Sequence, residues 1–402
     1  MNDTAESVAP VSRTPLDPNG MAARTILAFL ATAGLFYVNI MPAMVDGLIN
    51  GIGFTPQQAG DASSANVGGA LFGALGIAML LLVRTISWRP VSYAMLVLLI
   101  AIDVFSLFVT SPELMVTTRF VHGFVGGALV GVGFYVIART FKPDKTFGVL
   151  LVVQFGLGGL GNLLIPRLVP AFGVEIVFYT LIAFSLVTAA MVPLLGDYAL
   201  TDDEKRGATK SESIRWAPLS LTLLALFLFQ AGNMGLFAFI IGLGESYALD
   251  REFITWTLAA SGWIGIGGAA LVVMLQTTYG RTLPLTIAII VTVIGTFLLH
   301  ASDVRTVFFL ANCVIGVTWA FVIPYLLGLC AAFDKAGRMA ALGGAASKAG
   351  LTFGPWLAGR VLVDDSYGLM INIGAVAIAV SAAACIVPAL LQDRLAKQAE
   401  AG

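Results

Sequence analysis

The sequence predicts an all-α membrane protein: twelve transmembrane helices in two pseudo-symmetric six-helix bundles, with both termini cytoplasmic. Three observations carry this. Charged residues are 11% of the 402-residue chain and hydrophobic ones 58%, where a soluble domain holds about 25% charged residues. Long apolar runs fill the chain almost end to end, and about 20 such residues cross the hydrocarbon slab as a helix. The two halves also repeat each other. Asp46 stands 22 residues before Gly68-Gly69-Ala70, and Glu245 stands 22 before Gly267-Gly268-Ala269, an offset of 199 residues (46 to 245). Gln154-Phe155-Gly156 likewise matches Lys348-Ala349-Gly350, and Gly123 matches Gly316. Two like halves with a site between them are the organisation of a rocking transporter.

In lipid every backbone polar group must bond internally, so the spans are expected as helices. They are placed at 24–47, 57–82, 90–110, 113–138, 146–167, 173–196, 217–246, 254–277, 283–300, 305–331, 338–362 and 368–391. The domain division is then a tail 1–21, a bundle 22–196, a linker 197–216, a second bundle 217–392 and a tail 393–402. The first 20 residues, with Pro10, Pro15 and Pro18, read as a disordered tail without the order of a signal peptide. Thr55-Pro56-Gln57-Gln58 has the pattern of a capping box with proline in the first turn. Asp250 is expected to cap the eighth span in a similar way.

Orientation follows from lysine and arginine, which collect on the cytoplasmic side. With a cytoplasmic N-terminus, 16 of the 22 basic residues fall in inner segments. The other six are Arg119, Arg167, Arg251, Arg305, Lys348 and Arg360. The net charge of −1 carries little, because acids and bases lie on different sides.

Several classes are excluded. Cys313, Cys330 and Cys385 form neither a disulfide framework nor a metal spacing. The chain has no phosphate-cradling glycine loop with Lys and Ser/Thr, so ATP-driven pumping is not expected. His122 and His300 lie far apart in depth, with no nucleophile–base pair, so no enzyme is expected. No cofactor, metal or nucleic-acid partner is expected.

A charge inside the bilayer costs on the order of 2.5–3.5 kcal/mol, so such residues face a partner or a wet cavity. The candidates are Asp46, Asp61, Asp103, Arg119, His122, Glu245 and Lys348. Arg119 and Asp103 each lie about eight residues from a span end, roughly 12 Å deep at 1.5 Å per residue. They are expected to pair, with Asp46 and Asp61 as shallower rivals. The pair reads equally as a structural lock or as a proton or anion site. His122 shares the face of Arg119 three residues on. Lys348 lies near the centre of the eleventh span, either facing the substrate or paired across the cavity with Asp46 or Asp103. Gln154 holds the equivalent place in the first half. Gly68, Gly69, Gly267 and Gly268 are expected to let helices approach closely along the moving seam.

The six-plus-six layout with a cytoplasmic linker resembles the major facilitator superfamily. So does Arg119-Phe-Val-His-Gly123 on the fourth span, and so does Asp334-Lys-Ala-Gly-Arg338 before the eleventh. Two departures stand out. The loop Leu82-Val-Arg84-Thr-Ile-Ser-Trp-Arg89-Pro90 keeps the family's basic character without its Asp, and Tyr279-Gly280-Arg281 is its faint counterpart. The pattern Gly350-Leu-Thr-Phe-Gly354-Pro355-Trp-Leu-Ala-Gly359 resembles the antiporter signature of the fifth helix but lies on the eleventh, while Gly156-Leu-Gly158-Gly159-Leu-Gly161-Asn162 lacks the Pro.

The resemblance implies a cavity surrounded by spans one, four, seven and ten. Asn39, Gln230, Asn233, Asn312 and Tyr325 would line it, with Phe36, Tyr37, Phe237 and Trp319 as apolar walls. The expected function is secondary active transport by alternating access. The leading substrate is a small organic anion such as a carboxylate, held by Arg119 and Lys348, with proton coupling. The alternative is a proton-coupled drug or metabolite efflux antiporter resting on Asp46, Asp103 or Glu245. A non-transporting receptor or scaffold is the remote alternative. A monomer in the lipid bilayer of an inner or plasma membrane is expected.

Overall fold

The computed structural model describes residues 16–83, 86–140, 143–196, 198, 216–275, 278–333, 338–362 and 367–401. Helix dominates, and no strand occurs among these residues. Four sequence expectations lie wholly or largely outside them: the tail up to residue 15, the Arg84 part of the second loop, linker residues 199–215, and residues 334–337 before the eleventh span.

The first half begins with a broken rod: α1 (Met21–Ala33), α2 (Phe36–Asn39), α3 (Met41–Asp46) and a π turn over Gly47–Ile52. Then follow α4 (Pro56–Val83), α5 (Trp88–Ser106), α6 (Pro112–Ile137), α7 (Pro143–Phe172) and α8 (Glu175–Met191). The second half holds α9 (Trp216–Ala238), α10 (Ile240–Ser246), α11 (Arg251–Leu275), α12 (Thr282–Leu298), α13 (Arg305–Ala331), α14 (Arg338–Val361) and α15 (Tyr367–Ala401).

Both capping expectations have their geometry. Thr55 N–H donates to Gln58 Oε1 at 2.9 Å and Gln58 N–H to Thr55 Oγ1 at 3.2 Å. Phe253 N–H donates to Asp250 Oδ1 at 2.8 Å.

Ten of the described helices are long and apolar enough to cross a membrane. Twelve were expected, and the two that fall short have physical reasons. The first rod is broken, so its longest piece, α1, has only 13 residues. On α14, glycines, Ser347, Lys348 and Arg360 dilute the apolar content of an otherwise sufficient 24-residue helix.

The repeat reaches into backbone geometry. The rod breaks before α3 at Ile40, with φ −108° and ψ 21°. The seventh span breaks before α10 at Phe239, 199 residues later (40 to 239), with φ −110° and ψ 15°.

Glycines set the close approaches. On α4, a Cβ at Gly69 or Gly73 would overlap the α6 backbone at Phe120 or Phe124. On α11, a Cβ at Gly268 would overlap the Val317 carbonyl of α13. Gly267, beside it, has open space and permits no approach. The exporter-like glycines of α14 serve the same packing: Gly350 and Gly354 meet α9 at Phe227 and Ala231, and Gly359 meets Pro56 of α4. Gly68 meets the Thr352 methyl of α14, and Gly60 meets the Pro355 carbonyl.

Residues 16–198 pack mainly among themselves, as do residues 216–401. Between them run three seams: α4 against α14, α7 against α11, and α3 against the end of α9 and α10. Near the N-terminus Tyr198 donates to the Pro18 carbonyl at 3.0 Å, and burial pushes its phenol up to about 12.

Candidate functional site

The first cluster is enclosed in the first half. Arg119 on α6 reaches Asp103 on α5 at 3.0 Å, and neither side chain is exposed. Arg119 also donates to Ser106 Oγ and lies over the rings of Tyr37 and Phe178. His122 Nε2 stands 3.3 Å from Asp103 Oδ2. Asn66 on α4 orients that imidazole. Its Nδ2 donates to the Arg119 carbonyl at 3.2 Å and faces His122 Nδ1 at 2.9 Å. A donor there makes Nδ1 the acceptor, which leaves the ring proton on Nε2, aimed at Asp103. Arg119, expected either as a structural lock or as a proton or anion site, is 0% exposed and enclosed among these groups. Tyr37, bonded to Ser63 at 3.2 Å and 1% exposed, is closed off too. So is Phe36, stacked on Phe184 at 4.3 Å.

The second group joins the halves. Asp46 on α3 accepts two bonds from Arg251 on α11, at 2.6 and 3.0 Å. Glu245 on α10 takes the same guanidinium at 2.7 Å, and Asn50 donates to Asp46 at 2.7 Å. Asp61 on α4 pairs with Arg360 on α14 at 2.6 Å, and that guanidinium stacks on Trp356. Arg167 on α7 donates to Thr255 Oγ1 and to the Glu252 carbonyl on α11, each at 2.8 Å. The rivals Asp46 and Asp61 therefore have partners other than Arg119. All the cross-half ion pairs among the described residues lie beside the 47–56 and 246–251 turns, at one end of the bundle. A cavity of about 340 Å³ opens there, between Pro42, Asp46, Asn50, Phe239, Glu245 and Tyr367.

The third group is half-buried. Of the six basic residues outside the inner set, five face an acid: Arg119 with Asp103, Arg167 with Glu252, Arg251 with Asp46, Arg305 with Asp250, and Arg360 with Asp61. Lys348 is the sixth. It is half-buried, and no ion pair or hydrogen bond reaches its amine among the described residues. Its stripe on α14 continues through Thr352, Pro355 and Gly359, which all meet α4, so Lys348 looks toward the first half. Gln154 on α7 and Asn39 at the α2–α3 break are half-buried too, with no side-chain partner among the described residues.

One residue before Lys348 on α14, Ser347 closes a polar chain: Trp319 Nε1 donates to Gln230 Oε1 at 2.7 Å, and Gln230 Nε2 donates to Ser347 Oγ at 2.7 Å. These bonds gather α13, α9 and α14 at one level. Phe237 packs edge-on against Trp319 at 5.7 Å. The remaining residues turn elsewhere. Asn233 and Asn312 donate from Nδ2 to the Phe229 and Phe308 carbonyls of their own helices, both at 2.8 Å, and Asn233 Oδ1 is buried without a partner among the described residues. Tyr325 is 5% exposed, within the apolar cluster of the second half. Sequence reasoning passed over Arg251, Arg360 and Ser347; matching each of the six outlying bases to an acid would have found the first two.

A family model described as Major Facilitator Superfamily matches residues 25–355. No curated protein sequence matches the chain. The chain is similar to a crystal structure of nucleoside transporter NupG, solved as a point mutant, with a TM-score of 0.66. That match covers 93% of this chain and 99% of the other at 14% identity, a likeness of fold alone. The chain thus belongs to the Major Facilitator Superfamily, and is a multi-pass membrane transporter of a small-molecule substrate rather than an enzyme.

Proposed function

We propose a secondary active transporter that carries a small organic anion, with a carboxylate as the leading class, by alternating access. The observation that carries this is Lys348: among six outlying bases it alone lacks an acid, and it sits half-buried next in sequence to Ser347, the end of a polar trio. An amine without an acid in such a place is a ready partner for an anion, and a charge-assisted contact is strong there. Gln154 and Asn39 supply polar contacts from the other half.

The reading includes twelve spans in two bundles, 22–196 and 217–392, with the 197–216 linker and both termini cytoplasmic. The cross-half ion pairs then lie on the outer side and tie the halves together there. Proton coupling would use the Asp46–Arg251–Glu245 group. Two carboxylates share one guanidinium, so either can take a proton without leaving Arg251 unpaired. The protein would act as a monomer in a plasma or inner membrane.

The test is stabilisation of the purified protein by a panel of carboxylates, amines and neutral solutes, with uptake into vesicles under an imposed pH gradient. Carboxylates should stabilise wild type, and Lys348→Gln should lose that effect with its fold intact. Stabilisation by cations alone, unchanged in Lys348→Gln, would move the reading to proton-coupled efflux of drugs or metabolites.

A further inference from the structure

The polar trio that ends at Ser347 has a direction. An indole N–H can only donate, so Trp319 fixes which end of the Gln230 amide carries the oxygen. The nitrogen end then has to face Ser347, and it donates to Ser347 Oγ. Ser347 is thereby an acceptor toward Gln230, and its own proton has no acceptor among the described residues. All three side chains are buried or half-buried, so this order is not scrambled by bulk water.

We propose that Trp319 and Gln230 are positioning residues that force Ser347 to present its hydroxyl proton, making a donor-only site with Lys348 that selects carboxylates over matched carboxamides. The inference rests on the anion-transport reading above and deepens it. Lys348 supplies charge, while the relay supplies polarity. A carboxylate oxygen accepts from both groups. A carboxamide turned to place its NH2 at Ser347 would set donor against donor. Without the indole N–H the amide can turn over. Gln230 Oε1 would then take the Ser347 proton, and the site would offer a lone pair where it had offered a donor.

The probes are succinate with succinamide, and benzoate with benzamide, read by thermal stabilisation and by vesicle uptake. Wild type should favour the carboxylate of each pair. Trp319→Phe keeps the aromatic packing on Phe237 and removes only the donor. It should lower the carboxylate-to-carboxamide ratio by about tenfold, the worth of one well-placed hydrogen bond. Ser347→Ala should lower the ratio similarly, and covers the case in which Trp319→Phe does not fold. Trp319→His, which restores a ring N–H, should recover part of the ratio. Equal losses for both solutes in Trp319→Phe and Ser347→Ala would mean packing alone and overturn the relay. A ratio lost in Lys348→Gln but unchanged in those two variants would overturn the relay and leave the anion reading standing. A wild type with no carboxylate preference would overturn the anion reading itself, and the relay with it.

Discussion

Asp46 on α3 and Arg251 on α11, 205 positions apart in the chain, grip each other across the two halves through two hydrogen bonds of 2.6 and 3.0 Å. Arg251 is 28% exposed and Asp46 3%, so the bridge is only partly screened. Asp46→Asn should therefore favour the state in which this end opens, by about tenfold or 1.4 kcal/mol. Spin labels at residues 53 and 248 check this. Their separation should broaden toward longer distances in the variant, and an unchanged distribution would remove the latch role.

Placement in the membrane is checked by single cysteines at residues 53 and 208. The native Cys313, Cys330 and Cys385 are buried and give little background. A membrane-impermeant maleimide should label position 53 from outside and spare position 208. Equal labelling rules out the proposed topology.

Arg119→Ala should cost about 3–5 kcal/mol, because Asp103 would be left charged and enclosed. Arg119→Met combined with Asp103→Leu should cost less than Arg119→Ala alone, since no orphan charge remains. Thermal unfolding in detergent measures both. An additive double variant would show that the two residues do not act as a pair.

Lys348→Leu should raise stability by about 1–3 kcal/mol in the absence of solute, because the folded state no longer holds a partnerless amine in its interior. Transport should be lost at the same time. A destabilised variant would reveal a partner for Lys348 after all.

Two neighbouring glycines should behave oppositely. Gly268→Ala drives a methyl into the Val317 carbonyl and should cost about 1–3 kcal/mol. Gly267→Ala meets open space and should be neutral or stabilise by up to about 1 kcal/mol. Melting temperatures of the two variants settle this directly.

The one-dimensional features were legible in the sequence. Length and hydropathy locate most spans, because a helix in lipid must satisfy its own backbone. The Asp46 and Glu245 spacing shows the repeat, which the structure carries down to matching breaks at Ile40 and Phe239. The Thr55–Gln58 cap is local, so four residues specify it. Depth along adjacent helices was enough to bring Arg119 and Asp103 together.

Rotation about each helix axis was not legible, and it decided the rest. Depth places Arg119 and Lys348 both inside, but only packing encloses Arg119 among Asp103, Ser106, Tyr37 and Phe178 while leaving Lys348 without an acid. The partners of Asp46 and Asp61 lie 205 and 299 positions away, beyond any local pattern. Gly267 and Gly268 read alike in sequence and differ by about 100° around the helix, so one touches α13 and the other faces open space. The chain by itself determined that it would be helical and cross a membrane many times. Which of the six outlying bases meet an acid, and that Lys348 does not, was settled only by helices meeting face to face.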